Sequence, residues 1–174
     1  NHSAGIISAG RGGYGIVAKG GTANNFGMIS TNGDYSTGMY TEGGIITNEN
    51  GAVIDVSGNN AIGMYGKGLG SQIINHGIIN ITGENTVGMY AGADTVITNT
   101  GTINITGNGQ GFVALNPDNS LHNIENGTAQ INGVSDNKIN GVGSVHALPE
   151  LINAGIIKSN GVLALDGLQI MIKP

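Results

Sequence analysis

Gly38-Met39-Tyr40, Gly63-Met64-Tyr65 and Gly88-Met89-Tyr90 repeat one triplet at an interval of 25 residues. A unit of this length cannot bury its own apolar face, whereas stacked copies bury one continuous core, so the period predicts a solenoid. Outward from the triplet, a second glycine recurs at Gly5, Gly27, Gly51, Gly77, Gly101, Gly127 and Gly155, implying about seven coils of roughly 25 residues. Each of these anchors opens a short strand. Two residues after it stand Ile7, Ile29, Ile79, Ile103, Ala129 and Ile157; four after it stand Ala9, Thr31, Ile81, Ile105, Ile131 and Ser159. A one-residue insertion in the third coil moves these places to Ile54 and Val56. Between the two columns run Ser8, Ser30, Asp55, Asn80, Asn104, Gln130 and Lys158, and this in-out-in alternation is that of a strand with one buried face.

Six residues after the anchor a further glycine recurs at Gly33, Gly83, Gly107, Gly133 and Gly161, with Gly58 displaced by the insertion. A turn that needs positive φ or close backbone approach explains it. The second strand carries the triplet, with degenerate copies at Gly15-Ile16-Val17 and Gly111-Phe112-Val113. Strand parity puts Ile62, Met64 and Gly66, and likewise Val87, Met89 and Ala91, inside, and turns Tyr40, Tyr65 and Tyr90 out to solvent. A third strand precedes the anchor, and Asn25, Asn75, Asn99 and Asn153, with Asn48 near the same place, form an asparagine ladder at a corner. Three short strands per coil describe an all-β, right-handed parallel β-helix, its hand following the usual crossover preference.

Residues 1–174 thus read as a single β-helix fragment, with regular coils over 1–114 and less regular coils with protruding loops over 115–174. The loops are expected at Asn116 to Ser120, which has strong turn chemistry, and at Val145 to Glu150, which contains Pro149. Gly161 to Pro174 is strand-like but has no place in the register.

Composition narrows the function. The 33 glycines lack a collagen period, and the net charge of −5 with six scattered Lys and Arg gives no basic stripe, so nucleic acid is excluded as a partner. No run reaches the roughly 18 apolar residues of a membrane helix, so no membrane insertion by this segment is expected. The chain starts at Asn1 without a signal-peptide pattern and reads as an excised stretch. It has no cysteine, hence no disulfide framework or thiolate metal site.

Asn75 to Gly83 with Val87 to Tyr90, and again Asn99 to Gly107, follow the pattern Asn-x-Gly-x-Ile-x-Ile-x-Gly plus Val-Gly-Met-Tyr. This resembles the passenger repeats of large autotransporter adhesins, most of all the fusobacterial outer-membrane kind, well over residues 3 to 114 and poorly over 115 to 174. The resemblance implies a β-helix secreted through a C-terminal barrel and displayed on the bacterial outer membrane. There it would act as a scaffold or binding surface for a host-cell or bacterial surface protein or glycan, and continue into further coils of a longer chain. The alternative is a carbohydrate-processing or carbohydrate-binding β-helix, like a polysaccharide lyase, a hydrolase or a phage tailspike.

Catalysis needs carboxylates converging on one face. The best candidates, Asp34 and Glu84 flanking Asn59 in one turn column, have no Arg, Lys or His beside them. No catalytic residue, and no enzyme, is expected. His2, His76, His122 and His146 fall at different coil positions, and the glycine clusters lack the recurring Asp of a calcium solenoid, so neither a metal site nor a cofactor is expected. The sequons at Asn80 and Asn104 follow from the strand pattern alone. Tyr40, Tyr65 and Tyr90 are the candidate ligand-binding stripe, able to stack on sugar rings or pack a partner's apolar surface. Lys19, Glu42 and Lys67 form an expected alternating charge column beside it.

Overall fold

The computed structural model describes residues 1–92, 95–106, 109–114, 121–123, 128–131, 150–153, 156–159 and 169–172, and every regular element among them is a β-strand. The strands form three parallel sheets. The first contains Ile6–Ser8, Met28–Thr31, Val53–Val56, Ile78–Ile81, Thr102–Ile105, Thr128–Ile131 and Ile156–Ser159. The second contains Tyr14–Lys19, Thr37–Glu42, Ile62–Lys67, Val87–Ala91 and Gln110–Ala114. The third contains Thr22–Asn25, Ile45–Asn48, Ser71–Asn75, Thr95–Asn99, Leu121–Asn123, Glu150–Asn153 and Gln169–Ile172. The chain visits the sheets in turn, which is the expected parallel β-helix. Because the second sheet has 5 strands and the other two have 7, five turns rather than about seven have a strand in all three sheets among the described residues. In the last two turns, residues 132–149 and 160–168, between the first-sheet and third-sheet strands, lie outside the described residues.

The alternation of the first sheet sets its core. Ile29, Ile54, Ile79 and Ile103 pair in register and are fully buried, as are Thr31, Val56, Ile81 and Ile105 two residues on. Met39, Met64 and Met89 from the second sheet and Ile46, Ile73 and Ile97 from the third close the interior. Each buried isoleucine contributes roughly 1.5 to 3 kcal/mol.

At the corner between the third and first sheets the asparagine ladder is present and longer than the sequence suggested. Asn25 Nδ2 donates to Asn48 Oδ1 at 2.9 Å, Asn48 to Asn75 at 2.8 Å and Asn75 to Asn99 at 2.8 Å. All four are fully buried, with Asn48 in register rather than merely nearby. Asn1 joins from above, its Nδ2 2.8 Å from Asn25 Oδ1, and the register runs on through Asn123 and Asn153. The Nδ2 groups of Asn25, Asn48 and Asn75 also serve corner carbonyls, those of Gly27, Ile78 and Gly77 respectively. A buried amide is tolerated only when its donors and acceptors are paired, and here the same residue one coil away supplies the partner.

The second sheet departs from simple parity. A Cβ placed on Gly38 would lie 2.6 Å from the Gly63 carbonyl oxygen and 3.1 Å from Ile54 Cγ2, and one on Gly63 would meet Gly88 and Ile79 in the same way. Gly and Met of each triplet therefore both face the interior, and the strand changes phase between them. Ile62 and Val87, expected inside, are instead partly exposed on the outer face. The turn glycines after the first sheet also answer to close approach rather than to positive φ: a Cβ on Gly83 would sit 2.5 Å from the Gly58 carbonyl oxygen. The left-handed residues of that turn are Tyr35, Asn60 and Asn85, at φ 59°, 54° and 52°.

In the third coil the inserted residue is Gly51, at φ 80°, and fully buried Ala52 takes the anchor's place, accepting from Ile78 N as Gly27 does from Val53 N. Near the C-terminus, Gln169–Ile172 pairs with Glu150–Asn153, giving part of 161–174 the register it lacked in sequence. The loops expected over Asn116 to Ser120 and Val145 to Pro149 lie outside the described residues; Glu150 itself opens a strand.

Ile79→Asp, which puts a charge into the central apolar row, is expected to abolish the cooperative unfolding transition, and Gly63→Ala to cost about 1 to 3 kcal/mol through overpacking. Thermal and urea unfolding check both. A parent-like melt of Ile79→Asp would overturn the register.

Candidate binding surface

In each triplet the inward Gly-Met pair leaves the next side chain pointing outward. Tyr40, Tyr65 and Tyr90 are in register on neighbouring strands. Coil spacing of about 4.8 Å sets like side chains at ring-stacking distance. The centroids of Tyr40 and Tyr65 lie 5.3 Å apart at 58°, and those of Tyr65 and Tyr90 4.9 Å apart at 88°. A fourth ring, Tyr14, adds to the stripe at 5.3 Å from Tyr40, although its backbone pairs with Thr37. Sequence reasoning missed it, because its row continues as Thr37, Ile62 and Val87 and carries no aromatic period. Such tilted and edge-on pairs contribute about 0.5 to 1.5 kcal/mol each beyond the area they bury.

The same packing corrects the expectation that all three tyrosines face open solvent. Sandwiched between Tyr14 and Tyr65, Tyr40 is only 8% exposed, while Tyr65 and Tyr90 are half-buried and Tyr14 is exposed at the end of the stripe. The parity holds for the rings; their accessibility is limited by one another.

Lys19, Glu42 and Lys67 are in register beside the stripe, as the sequence indicated. Lys67 Nζ stands 3.8 Å from Glu42 Oε1 and 6.0 Å from the centroid of the Tyr40 ring, whose hydroxyl donates to Glu42 Oε2 at 3.2 Å. Among the described residues Lys19 closes no ion pair with Glu42. Burial pushes the Tyr40 phenol above its ordinary 10.0; the Lys67 ammonium opposes the shift and the Glu42 carboxylate adds to it. Tyr90 is raised by burial first and by Tyr65 second. Lys67 is held above its ordinary 10.5, chiefly by its contact with the Tyr40 side chain and then by Glu42.

Asp34 and Glu84 do flank Asn59 in one turn column. The Asp34 carboxylate accepts from the Asn59 main-chain N–H at 3.0 Å, and Asn59 Oδ1 accepts from that of Glu84 at 3.1 Å, so the column ties one turn to the next. His76 Nδ1 is hydrogen-bonded to Thr100 Oγ1. Among the described residues no group of three or more His, Asp or Glu could hold a metal ion. The side chain of His122, and His146 altogether, lie outside the described residues. Asn80 and Asn104, the sequon asparagines, donate to Asp55 Oδ1 at 2.7 Å and to Asn80 Oδ1 at 2.9 Å respectively, within the outer polar row of the first sheet.

Comparison with known families matches the chain to the BigA third pectate lyase-like domain, over residues 1–92 and in an overlapping second placement over 37–161. Overlap of this kind is what a repeating coil allows. No curated protein and no solved structure matches the chain.

The raised phenols set a pH dependence. In the unfolded chain a tyrosine releases its proton near 10.0, whereas folded Tyr40 and Tyr90 hold theirs to higher pH. Their contribution to stability is therefore complete below pH 10 and is lost as pH rises through the folded values. Ultraviolet titration of tyrosinate should reveal a late component that Tyr40→Phe diminishes, with unfolding free energy falling over the same alkaline range. A titration unchanged by Tyr40→Phe would contradict the assignment.

Proposed function

The chain belongs to the BigA third pectate lyase-like domain family, and from that membership we propose that it is a passenger segment of a bacterial surface adhesin, exported by the autotransporter route and displayed outside the outer membrane. In this role the β-helix is a stiff rod whose interior is closed and whose outer rows are free to bind. The observation that carries the reading is the tyrosine stripe: four large rings, already ordered against one another and edged by Glu42 and Lys67, on the outside of a core that does not need them. Aromatic side chains held rigidly on a surface are efficient contacts, because little rotamer entropy remains to be lost on binding. Tyr65 and Tyr90, half-buried, are the contact residues; Tyr14 extends the contact and Tyr40 acts as the filler that holds the stripe together.

The segment works by binding, without catalysis. Asp34, in the most nearly convergent set of acids, is engaged in capping the next turn, which supports a structural role for that column. A carbohydrate-binding β-helix is the second reading, favoured by an open groove lined with hydroxyl, amide and carboxylate side chains on the first sheet.

Beads coated with the chain should adhere to host epithelial cells or to partner bacteria, and Tyr65→Ser with Tyr90→Ser should lower adhesion about fivefold or more, as loss of aromatic anchors does. Equal adhesion by parent and a folded double variant would remove the stripe from the account. No adhesion by either would remove the adhesin reading.

A further inference from the structure

On the outer face of the first sheet three side-chain rows run along the rod, each in register. Met28, Val53 and Ile78 form a partly exposed apolar row. Two residues on, Asp55, Asn80 and Asn104 form a half-buried amide and carboxylate row. Two residues further, Ser57, Thr82 and Thr106 form an exposed hydroxyl row. The second and third rows line an open groove of about 630 Å³ that crosses successive coils.

The middle row is fixed before anything binds, since Asn104 Nδ2 donates to Asn80 Oδ1 at 2.9 Å and Asn80 Nδ2 to Asp55 Oδ1 at 2.7 Å. Each amide spends one N–H along the row and keeps a second N–H and a lone pair, and Asp55 keeps its other oxygen. The groove thus presents alternating donors and acceptors at coil spacing, beside hydroxyls that can do either, with an aliphatic strip along one edge. Neutral sugars carry the complementary surface: vicinal hydroxyls that both donate and accept, and C–H ring faces that cover aliphatic groups.

Charge selects among glycans. Among the described residues the lining holds one ionisable side chain, the carboxylate of Asp55, and no Lys, Arg or His. A uronate, sulfate or phosphate chain lying over these residues would meet the Asp55 carboxylate with no compensating cation among them. A peptide adding as a strand has no purchase either, because the main-chain groups of these strands are paired within the sheet. We propose that this groove binds a neutral polysaccharide strand lying along the rod axis, with Asp55, Asn80 and Asn104 reading its hydroxyls, Ser57, Thr82 and Thr106 flanking them, and Val53 and Ile78 covered by its ring faces. The site is on a different sheet from the tyrosine stripe and stands independently of it.

The test uses the chain as it is, titrated calorimetrically with neutral hexasaccharides of glucose, xylose, mannose and galactose, and with hexagalacturonate. At least one neutral hexasaccharide should bind and hexagalacturonate should not. Thr82→Val with Thr106→Val, both at exposed positions, should weaken binding about fivefold or more while the melting temperature holds. Gln72→Ala, at an exposed position on the third sheet, should leave sugar binding unchanged, whereas sugar binding lost in Tyr65→Ser with Tyr90→Ser and kept in the valine variant would place the sugar on the stripe and overturn the proposal. The proposal is overturned if no neutral hexasaccharide binds, if the valine variant binds as the parent does, if hexagalacturonate binds more tightly, or if the groove variant affects only a protein partner.

Discussion

The structure depends on the main-chain hydrogen bonds that run along the rod, from each coil to the equivalent residues of the next. In a parallel sheet wound this way a side chain's neighbours above and below are its own counterparts, so every choice of residue is repeated into a row. A one-residue slip would turn the Ile29, Ile54, Ile79 and Ile103 row from core to water, and with it every other row of that sheet. The asparagine ladder is the strictest expression of this constraint. An amide buried alone would cost about 1 to 3 kcal/mol for each unpaired group, whereas a row of amides one coil apart satisfies itself, so the corner is stable only while the coils stay aligned.

Because the interior is closed by inward rows alone, the outward rows can carry different chemistry on different faces of one rod. The second sheet bears stacked phenols with a carboxylate and an ammonium beside them; the first bears amides and hydroxyls edged with aliphatic groups. Both surfaces are ordered by the same spacing that orders the core, so little freedom is lost when either meets a partner. Stability in such a stack is the sum of coil and nearest-neighbour terms, and change at one surface row stays local to its neighbours.

Much of this was legible in the sequence, because row identity is periodicity. The isoleucine columns, the asparagine corner, and the pairing of Lys19, Glu42 and Lys67 follow from counting residues between glycines. What counting misses is the backbone's departure from alternation. At Gly38, Gly63 and Gly88 the absence of a Cβ lets the chain approach its neighbour and place two successive residues inside, which moves Ile62 and Val87 outward against their apparent parity. Ala52 in an anchor's place is likewise invisible, since Gly51 beside it matches the pattern better. For the candidate surface, parity gave the direction of Tyr40, Tyr65 and Tyr90 but not their accessibility, which depends on ring tilt and on Tyr14 reaching across from another row.

The register itself is open to direct measurement, since the chain has no cysteine of its own. Val53 and Ile78 are register partners on the outer face of adjacent first-sheet strands, and Asn80 lies two residues further along the second of them. Cysteines bridge only when their Cα atoms are within about 7 Å, a limit that one strand spacing of about 4.8 Å meets and that spacing plus a two-residue offset exceeds. Val53→Cys with Ile78→Cys should therefore oxidise to an intramolecular disulfide, and Val53→Cys with Asn80→Cys should not. Preferential closure of the offset pair in folded protein would contradict the in-register stack on which the rest of the account is built.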